Sequence, residues 1–343
     1  MGFTYLQKIP TPEEILRLMP MPAGLKRIKA QRDRSIQNII KGSDSRLLLI
    51  VGPCSADDED ALSEYVSRLA KLQEKVKDRL VLVPRIYTNK PRTTGRGYKG
   101  MLHQPKASED PDIARGIKAI RRMHLRVLGE SGLTAADEML YPGNYPYLED
   151  VLSYVTIGAR SVENQEHRLT VSGLDIPVGM KNPTSGDLNV LLNSVEAAQI
   201  SHTFIYNGWE VKTGGNPMAH CILRGAINRN GHNFPNYHYE DLVYFTQLYL
   251  KRSLLNPAII VDTNHANSGK DFTQQPRIAE EIMHSISKSR ELKKIVKGLM
   301  VESYLQEGAQ SVKGKVFGQS ITDPCLGWEE TSKLVLKLAE NYK

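Results

Sequence analysis

Eight short apolar runs recur along the chain, and each ends on a residue that an apolar setting does not explain. They read RLLLIVGPCS, LVLVPRIY, LTAADEML, YVTIGAR, PVGMKN, HCILRG, AIIVDTNHANS and KGLMVES. Unbroken apolar runs of this length are the pattern of strands buried on both faces. Between them lie mostly helical or polar stretches: Leu62, Tyr65, Val66, Leu69 and Leu72 recur at helical spacing, as do Ile113, Ile117, Ile120 and Val127. Strand–helix repetition calls for a parallel sheet, and eight units predict a (β/α)8 TIM barrel, an open doubly wound sheet being the other arrangement. The 343 residues hold one such barrel with some to spare. Residues 1–45 are expected to form an N-terminal extension, with Thr11 capping a helix that opens on Pro12, and residues 46–343 the barrel. The segment HTFIYNGWEVKTGGNP, residues 202–217, is read as a β-hairpin inserted before strand 6, with a Gly-Gly turn.

Composition narrows the function classes. No apolar run reaches the roughly 18 residues of a membrane span. The N-terminal stretch carries acids and prolines in place of an apolar signal core. Three cysteines (Cys54, Cys221, Cys325) cannot staple so long a chain, so a cytoplasmic, reduced protein is expected. The net charge of +7 permits nucleic-acid binding, but the bases are scattered and aromatics are only 7%. Neither a nucleic-acid nor a membrane partner is expected. Small phosphorylated substrates would also use an excess of Lys and Arg.

Barrels carry their chemistry at the C-terminal ends of strands and in the loops that follow. Here those ends read Cys54, Arg85, Glu138, Arg160, Lys181, Arg224, His265 and Glu302, spread over 248 residues in seven intervals of about 35 each. Two subsets separate by chemistry. Cys54, His265, Glu302 and the loop residue Asp323 supply one sulfur, one imidazole nitrogen and two carboxylates. Singly, a cysteine in GPCS packs as a small buried residue, and a histidine in NHANS serves as a cap. Around one mouth, the four form a mixed donor set suited to a catalytic divalent metal such as Mn, Fe, Co or Zn.

The second subset is cationic: Arg85, Lys90, Arg92, Arg160, Lys181 and Arg224. Bases buried without counter-charges are costly and call for anionic ligands. Arginine forks match phosphate and carboxylate oxygens. In TNKPRTTGRGYKG, Thr93 and Thr94 add hydroxyls, and the glycines let backbone amides approach a phosphate. Other motifs fail: HANSGKD has Asn264 where a P-loop needs glycine, ENQEH has Glu163 where an inverted zincin needs histidine, and no Gly-x-Gly-x-x-Gly follows the first strand.

In chain order, GPCS, KPRTTGRGYKG, IGAR, ILRG, DTNHANSGKDF, MVES and SITDPCLGW resemble the type I 3-deoxy-D-arabino-heptulosonate 7-phosphate (DAHP) synthase family, in its shorter microbial class. The resemblance runs from about residue 12 to 335. It implies a (β/α)8 enzyme that condenses phosphoenolpyruvate and water with erythrose 4-phosphate, releasing phosphate, at the entry to aromatic amino-acid synthesis. The family's metal ligands fall on Cys54, His265, Glu302 and Asp323. Its phosphoenolpyruvate contacts fall on Arg85, Lys90, Arg160, Lys181 and Arg224, with Glu138 lining the same pocket. Its aldose-phosphate contacts fall on Arg92 and Thr93. Lys90, Glu138, His265 and Cys54 are the expected catalytic residues. The family further implies a homodimer or homotetramer inhibited by an aromatic amino acid bound near the extension and the loop after the third strand. That loop here, MLYPGNYPYLED, departs from the MITPQYL-like pattern of a phenylalanine-sensitive form, and the extension lacks that form's paired aspartates.

Three other readings stand beside this one. A Schiff-base aldolase would use Lys181 or Lys90. A 3-deoxy-manno-octulosonate 8-phosphate synthase would use a related barrel, against which KPRTT argues. A silent sensor of phosphorylated or aromatic metabolites would not need the full set of metal-binding side chains.

Overall fold

All eight apolar runs are strands in the structure, a computed structural model that describes residues 2–342. They are β1 (Leu47–Gly52), β2 (Leu80–Pro84), β3 (Ala135–Glu138), β4 (Leu152–Ile157), β5 (Val178–Lys181), β6 (Ala219–Leu223), β7 (Ile259–Asp262) and β8 (Val296–Glu302). Every pairing is parallel, in the order β2-β1-β8-β7-β6-β5-β4-β3. A parallel bridge from Arg85 to Ala136 joins the two ends and closes the ring. The barrel is therefore the expected one, and the open sheet is not.

Alternation along each strand makes two cores. Leu48, Ile50, Val81, Val83, Ala136, Tyr154, Ile222, Ile260 and Met300 point inward and fill the barrel. Leu47, Leu49, Val51 and their equivalents point outward against the helices. Gly179 is an inward position that must stay bare, because a Cβ there would run into the Tyr154 hydroxyl and Ile222.

The extension divides in two. Helix α1 (Pro12–Leu18) starts on a capping box of Thr11 and Glu14. It rests on the turn Pro142–Tyr147, where the Tyr147 hydroxyl donates to Pro10 O at 2.8 Å. Helix α2 (Ala23–Lys41) inserts Ile36 and Ile39 into the barrel's interior cluster. The sequence leads one to expect residues 1–45 as an extension apart from the barrel. The second half instead seals the barrel floor, because inward strand residues at the N-terminal end need an apolar lid.

The expected hairpin pairs Thr203–Tyr206 with Trp209–Lys212 before β6. Its turn is Asn207-Gly208, with φ of 49° and 81°, and not the Gly214-Gly215 pair. Two positive φ angles in a two-residue loop match the twist of the strands, and Asn-Gly supplies them at little cost. Among the described residues no helix is long and apolar enough to cross a membrane.

Candidate active site

Because β1 to β8 are parallel, their C-terminal ends rise together around one mouth. A cavity of about 290 Å³ opens there, lined by Cys54, Arg85, Lys90, Arg92, Thr93, Glu138, Arg160, Lys181, Arg224, His265 and Asp323. Glu302, the last residue of β8, lies buried just behind it. Every residue singled out from the sequence thus converges on one place. Among the further residues that line it are three polar side chains that sequence reasoning left unassigned, Arg96, Thr184 and Lys270. Lys270 belongs to HANSGKD, which fails as a P-loop, yet its place after His265 in the loop after β7 is the sequence signal that marks it.

The donor set forms two pairs. Cys54 Sγ stands 3.3 Å from Asp323 Oδ2, and His265 Nε2 stands 4.0 Å from Glu302 Oε1. Asp262 Oδ2 lies 2.9 Å from His265 Nδ1, which orients the ring so that Nε2 faces the mouth. His265 itself has a φ of 53°, a conformation rare outside glycine, held by the packed loop around it. Asn264 Nδ2 donates to Glu302 Oε2 at 2.7 Å, leaving Oε1 without a hydrogen bond. Burial and the nearby Glu302 push the Cys54 thiol up, against Lys90, which pulls it down.

Lys90 lies among these donors, its Nζ 2.6 Å from Cys54 Sγ and 2.7 Å from Asp323 Oδ2. Although burial opposes ionisation, Lys90 holds the Asp323 carboxyl well below the usual carboxylate range. Among the described residues no three His, Cys, Asp or Glu side chains stand close enough to hold a metal as they are arranged. The chemistry of the set nevertheless fits a divalent transition ion. It offers sulfur, nitrogen and carboxylate oxygen, a buried oxygen lacking a hydrogen bond, and a Cys–Asp separation near the roughly 3–3.6 Å spanned by two ligands of one ion.

The cations line the same cavity. Arg85 Nη1 donates to Pro53 O, Nη2 lies 3.0 Å from Glu302 Oε1, and Nε has no partner. Lys181 Nζ donates to Asp262 Oδ2 at 2.7 Å. Arg224 is buried with its Nη1 unpartnered, and burial pushes its guanidinium down. Arg92, Arg96, Arg160 and Lys270 surround the opening, and Arg92 Nε donates to Tyr98 O at 2.8 Å. None of Arg92, Arg96, Arg160, Arg224 and Lys270 makes an ion pair with a described residue. So many unneutralised cations in one cavity need anions to complete them.

Glu138 ends β3 and lines the same cavity. Burial pushes its carboxyl up, against Lys181, Arg85 and Lys90, which pull it down. Asp137 anchors the strand end by accepting from the backbone amides of Thr88 at 2.8 Å and Glu138 at 2.7 Å.

The comparisons agree with this architecture. Residues 25–336 match the family described as "DAHP synthetase I family". The chain is 36% identical to the Trp-sensitive phospho-2-dehydro-3-deoxyheptonate aldolase of Escherichia coli (strain K12), over 97% of this chain and 95% of that one. It is also 36% identical to the Phe-sensitive enzyme of the same strain, over 98% and 95% of the two chains. A solved structure of phospho-2-dehydro-3-deoxyheptonate aldolase from Francisella tularensis SCHU S4 superposes with a TM-score of 0.91. It is 31% identical in sequence, and the match covers 99% of this chain and 98% of that one.

Proposed function

The chain belongs to the DAHP synthetase I family, and on that premise we propose that it condenses phosphoenolpyruvate with D-erythrose 4-phosphate and water, giving 3-deoxy-D-arabino-heptulosonate 7-phosphate and phosphate. This is the first step of the shikimate pathway. The observation that carries the reading is the set of five unpaired cations lining the same cavity as Glu138 and the Cys/His/carboxylate donors. Two phosphates and a carboxylate bring roughly five negative charges, a load this cavity can neutralise.

Arg85, Lys90, Arg160, Lys181 and Arg224 bind and orient phosphoenolpyruvate by its phosphate and carboxylate. Arg92 and Thr93 hold the phosphate of the aldose at the opening. Cys54, His265, Glu302 and Asp323 would hold one divalent metal ion, which when bound supplies Lewis-acid polarisation of the aldehyde carbonyl. C3 of the enol phosphate attacks the aldehyde carbon, and positive charge develops at C2. The Glu138 carboxylate, fixed beside the cations, stabilises that charge and orients the water that adds at C2. Lys90 Nζ gives its proton to the developing alkoxide oxygen. The proton that the adding water gives up replaces the one lost by Lys90, and the tetrahedral carbon expels inorganic phosphate as its C2–O bond to phosphate breaks, the C2 hydroxyl proton leaving with the phosphate as the ketone forms. Holding two anions at attack distance in a cavity that excludes most water supplies a large part of the acceleration.

An imine mechanism needs a neutral amine. Lys181 is instead ion-paired to Asp262 and Lys90 to Asp323, which favours the metal-assisted route. The test is phosphate release measured with both substrates and with each alone. Release that needs both supports the reading, and release from phosphoenolpyruvate alone, or none at all, removes it.

Regulation and assembly complete the proposal. The relatives' names record sensitivity to Trp and to Phe, so one aromatic amino acid is proposed as effector here. A second cavity, about 380 Å³, lies between the turn after β3 and the hairpin and is lined by Tyr145, Leu174, Phe204 and Tyr206. A homodimer or homotetramer in the cytoplasm is proposed as the working form. Phe3, Tyr5 and Leu6 are 90% or more exposed, as residues that dock on another subunit would be.

A further inference from the structure

We propose that Lys90 is a placeholder for the metal: its ammonium occupies the donor pair Cys54–Asp323 until the ion displaces it, and only then does it serve phosphoenolpyruvate. This inference rests on the metal reading above and adds an order of events to it. Lys90 Nζ touches both donors, at 2.6 Å from Sγ and 2.7 Å from Oδ2, while those two donors are themselves only 3.3 Å apart. An ion bonded to both would stand within about 2–2.3 Å of each. It would then occupy the space, and take over the charge, that Lys90 now supplies. Two cations cannot share that gap, since like charges at contact distance repel strongly in a cavity shielded from water.

Two consequences follow from the exclusion. Metal binding must break the ion pair between Lys90 and Asp323, so Lys90 weakens the metal's affinity in the empty enzyme. The released ammonium is then free to turn to the cavity, where Arg85, Lys181 and Arg224 await the same anion. Metal and phosphoenolpyruvate therefore assist one another, and linkage requires the factor to be the same in both directions. Arg85, by contrast, contacts Glu302 without standing between a donor pair, and Lys270 lines the cavity without contacting either donor. The placeholder role belongs to Lys90 alone among these cations.

The experiment titrates Mn2+ alone into metal-free enzyme, follows free Mn2+ by electron paramagnetic resonance, and repeats the titration with saturating phosphoenolpyruvate. Wild type, Lys90→Met and Lys270→Met are compared, each checked for an unchanged circular dichroism spectrum. Lys90→Met should bind Mn2+ about tenfold more tightly than wild type without phosphoenolpyruvate. Its affinity should then move by less than about twofold when phosphoenolpyruvate is added, whereas wild type should gain about tenfold. Lys270→Met should keep the wild-type gain. Lys90→Met binding no tighter than wild type, or matched by Lys270→Met, overturns the placeholder role, as does coupling that survives in Lys90→Met. Absence of stoichiometric Mn2+ binding in all three proteins, with phosphate release intact in wild type, would instead overturn the metal reading beneath it.

Discussion

Gly158, just past β4, faces the Glu138 carboxylate so closely that a Cβ at position 158 would run into Glu138 Oε1. Both residues line the active-site cavity. Position 158 is thus bare so that the end of β3 can hold its carboxylate among the cations. The obstructed atom is the far end of a flexible side chain, so Gly158→Ala is expected to fold normally with Glu138 displaced. A misplacement of about 1 Å in a reacting constellation costs on the order of 100-fold in rate. We therefore expect kcat/KM to drop by about that factor while the melting temperature stays near wild type. Wild-type turnover in Gly158→Ala would show that the pose of Glu138 is unimportant.

Arg92 tests the division between the two proposed phosphate sites. Its Nε is already committed to Tyr98 O, which holds the guanidinium at the cavity opening and leaves the fork free for a phosphate. Losing a charge-assisted hydrogen bond costs about 1.5–3 kcal/mol, or roughly 10- to 150-fold in binding. Arg92→Ala should raise KM for erythrose 4-phosphate by that factor and change KM for phosphoenolpyruvate little. Steady-state kinetics with each substrate varied in turn would decide it, and equal losses for both would reassign the phosphate.

The strand ends were legible for a physical reason. A strand buried on both faces has no use for Arg85, Lys181 or Glu302 in packing terms, so each stood out of its apolar run. What the sequence concealed was spacing in three dimensions. Nothing in the residue order sets Lys90 between Cys54 and Asp323, because 233 residues separate Lys90 from Asp323 and only closure of the ring brings them together. Asp262 was hidden differently. It reads as the polar end of AIIVD, and its role as partner of both Lys181 and His265 emerges only with the β5–β6–β7 register. Ile36 and Ile39 lie in an extension whose sequence gives no sign of their burial, since a barrel floor leaves no signature in the helix that covers it.

On the metal reading proposed above, removing the ion should abolish turnover without unfolding the protein. The barrel interior is closed by Ile36, Ile39 and the inward strand residues, far from the mouth, so the fold does not depend on the ion. Dialysis against a chelator, followed by return of Mn2+, should lose and then restore phosphate release with an unchanged circular dichroism spectrum. Cys54→Ala and His265→Ala should not be restored. Full activity in protein free of metal by elemental analysis would end the Lewis-acid mechanism.

His220 gives the barrel interior a pH dependence. Its Nδ1 donates to Met218 O at 2.8 Å, so Nε2 accepts from the Tyr154 hydroxyl at 2.7 Å and both nitrogens are satisfied only in the neutral ring. Burial pushes its pKa down to about 4. The unfolded chain protonates this histidine near pH 6.5, before the folded state does, so unfolding takes up a proton between those values. The contribution is complete above about pH 6.5 and is lost as pH falls toward 4, by at most about 3 kcal/mol. Urea midpoints measured from pH 4 to 8 should fall on acidification in wild type, and less steeply in His220→Gln. Identical slopes in the two proteins would remove His220 as the cause.

The N-terminal arm allows assembly and inhibition to be tested without disturbing the core. Ile15 and Met21 are buried in the main core, and Pro10 O accepts from Tyr147, so a deletion through α1 would damage packing as well as contacts. Residues 2–8 carry no such burden: Phe3, Tyr5 and Leu6 meet water almost completely. If another subunit covers them, each contributes up to about 1.5–3 kcal/mol to association. Removing residues 1–8 should then leave the melting behaviour of the barrel intact while lowering the mass in sedimentation equilibrium. Inhibition by the effective aromatic amino acid should weaken as well, because α1 rests on the same Pro142–Tyr147 turn that supplies Tyr145 to the second cavity. An unchanged mass together with unchanged inhibition curves for phenylalanine, tyrosine and tryptophan would leave the arm without either role.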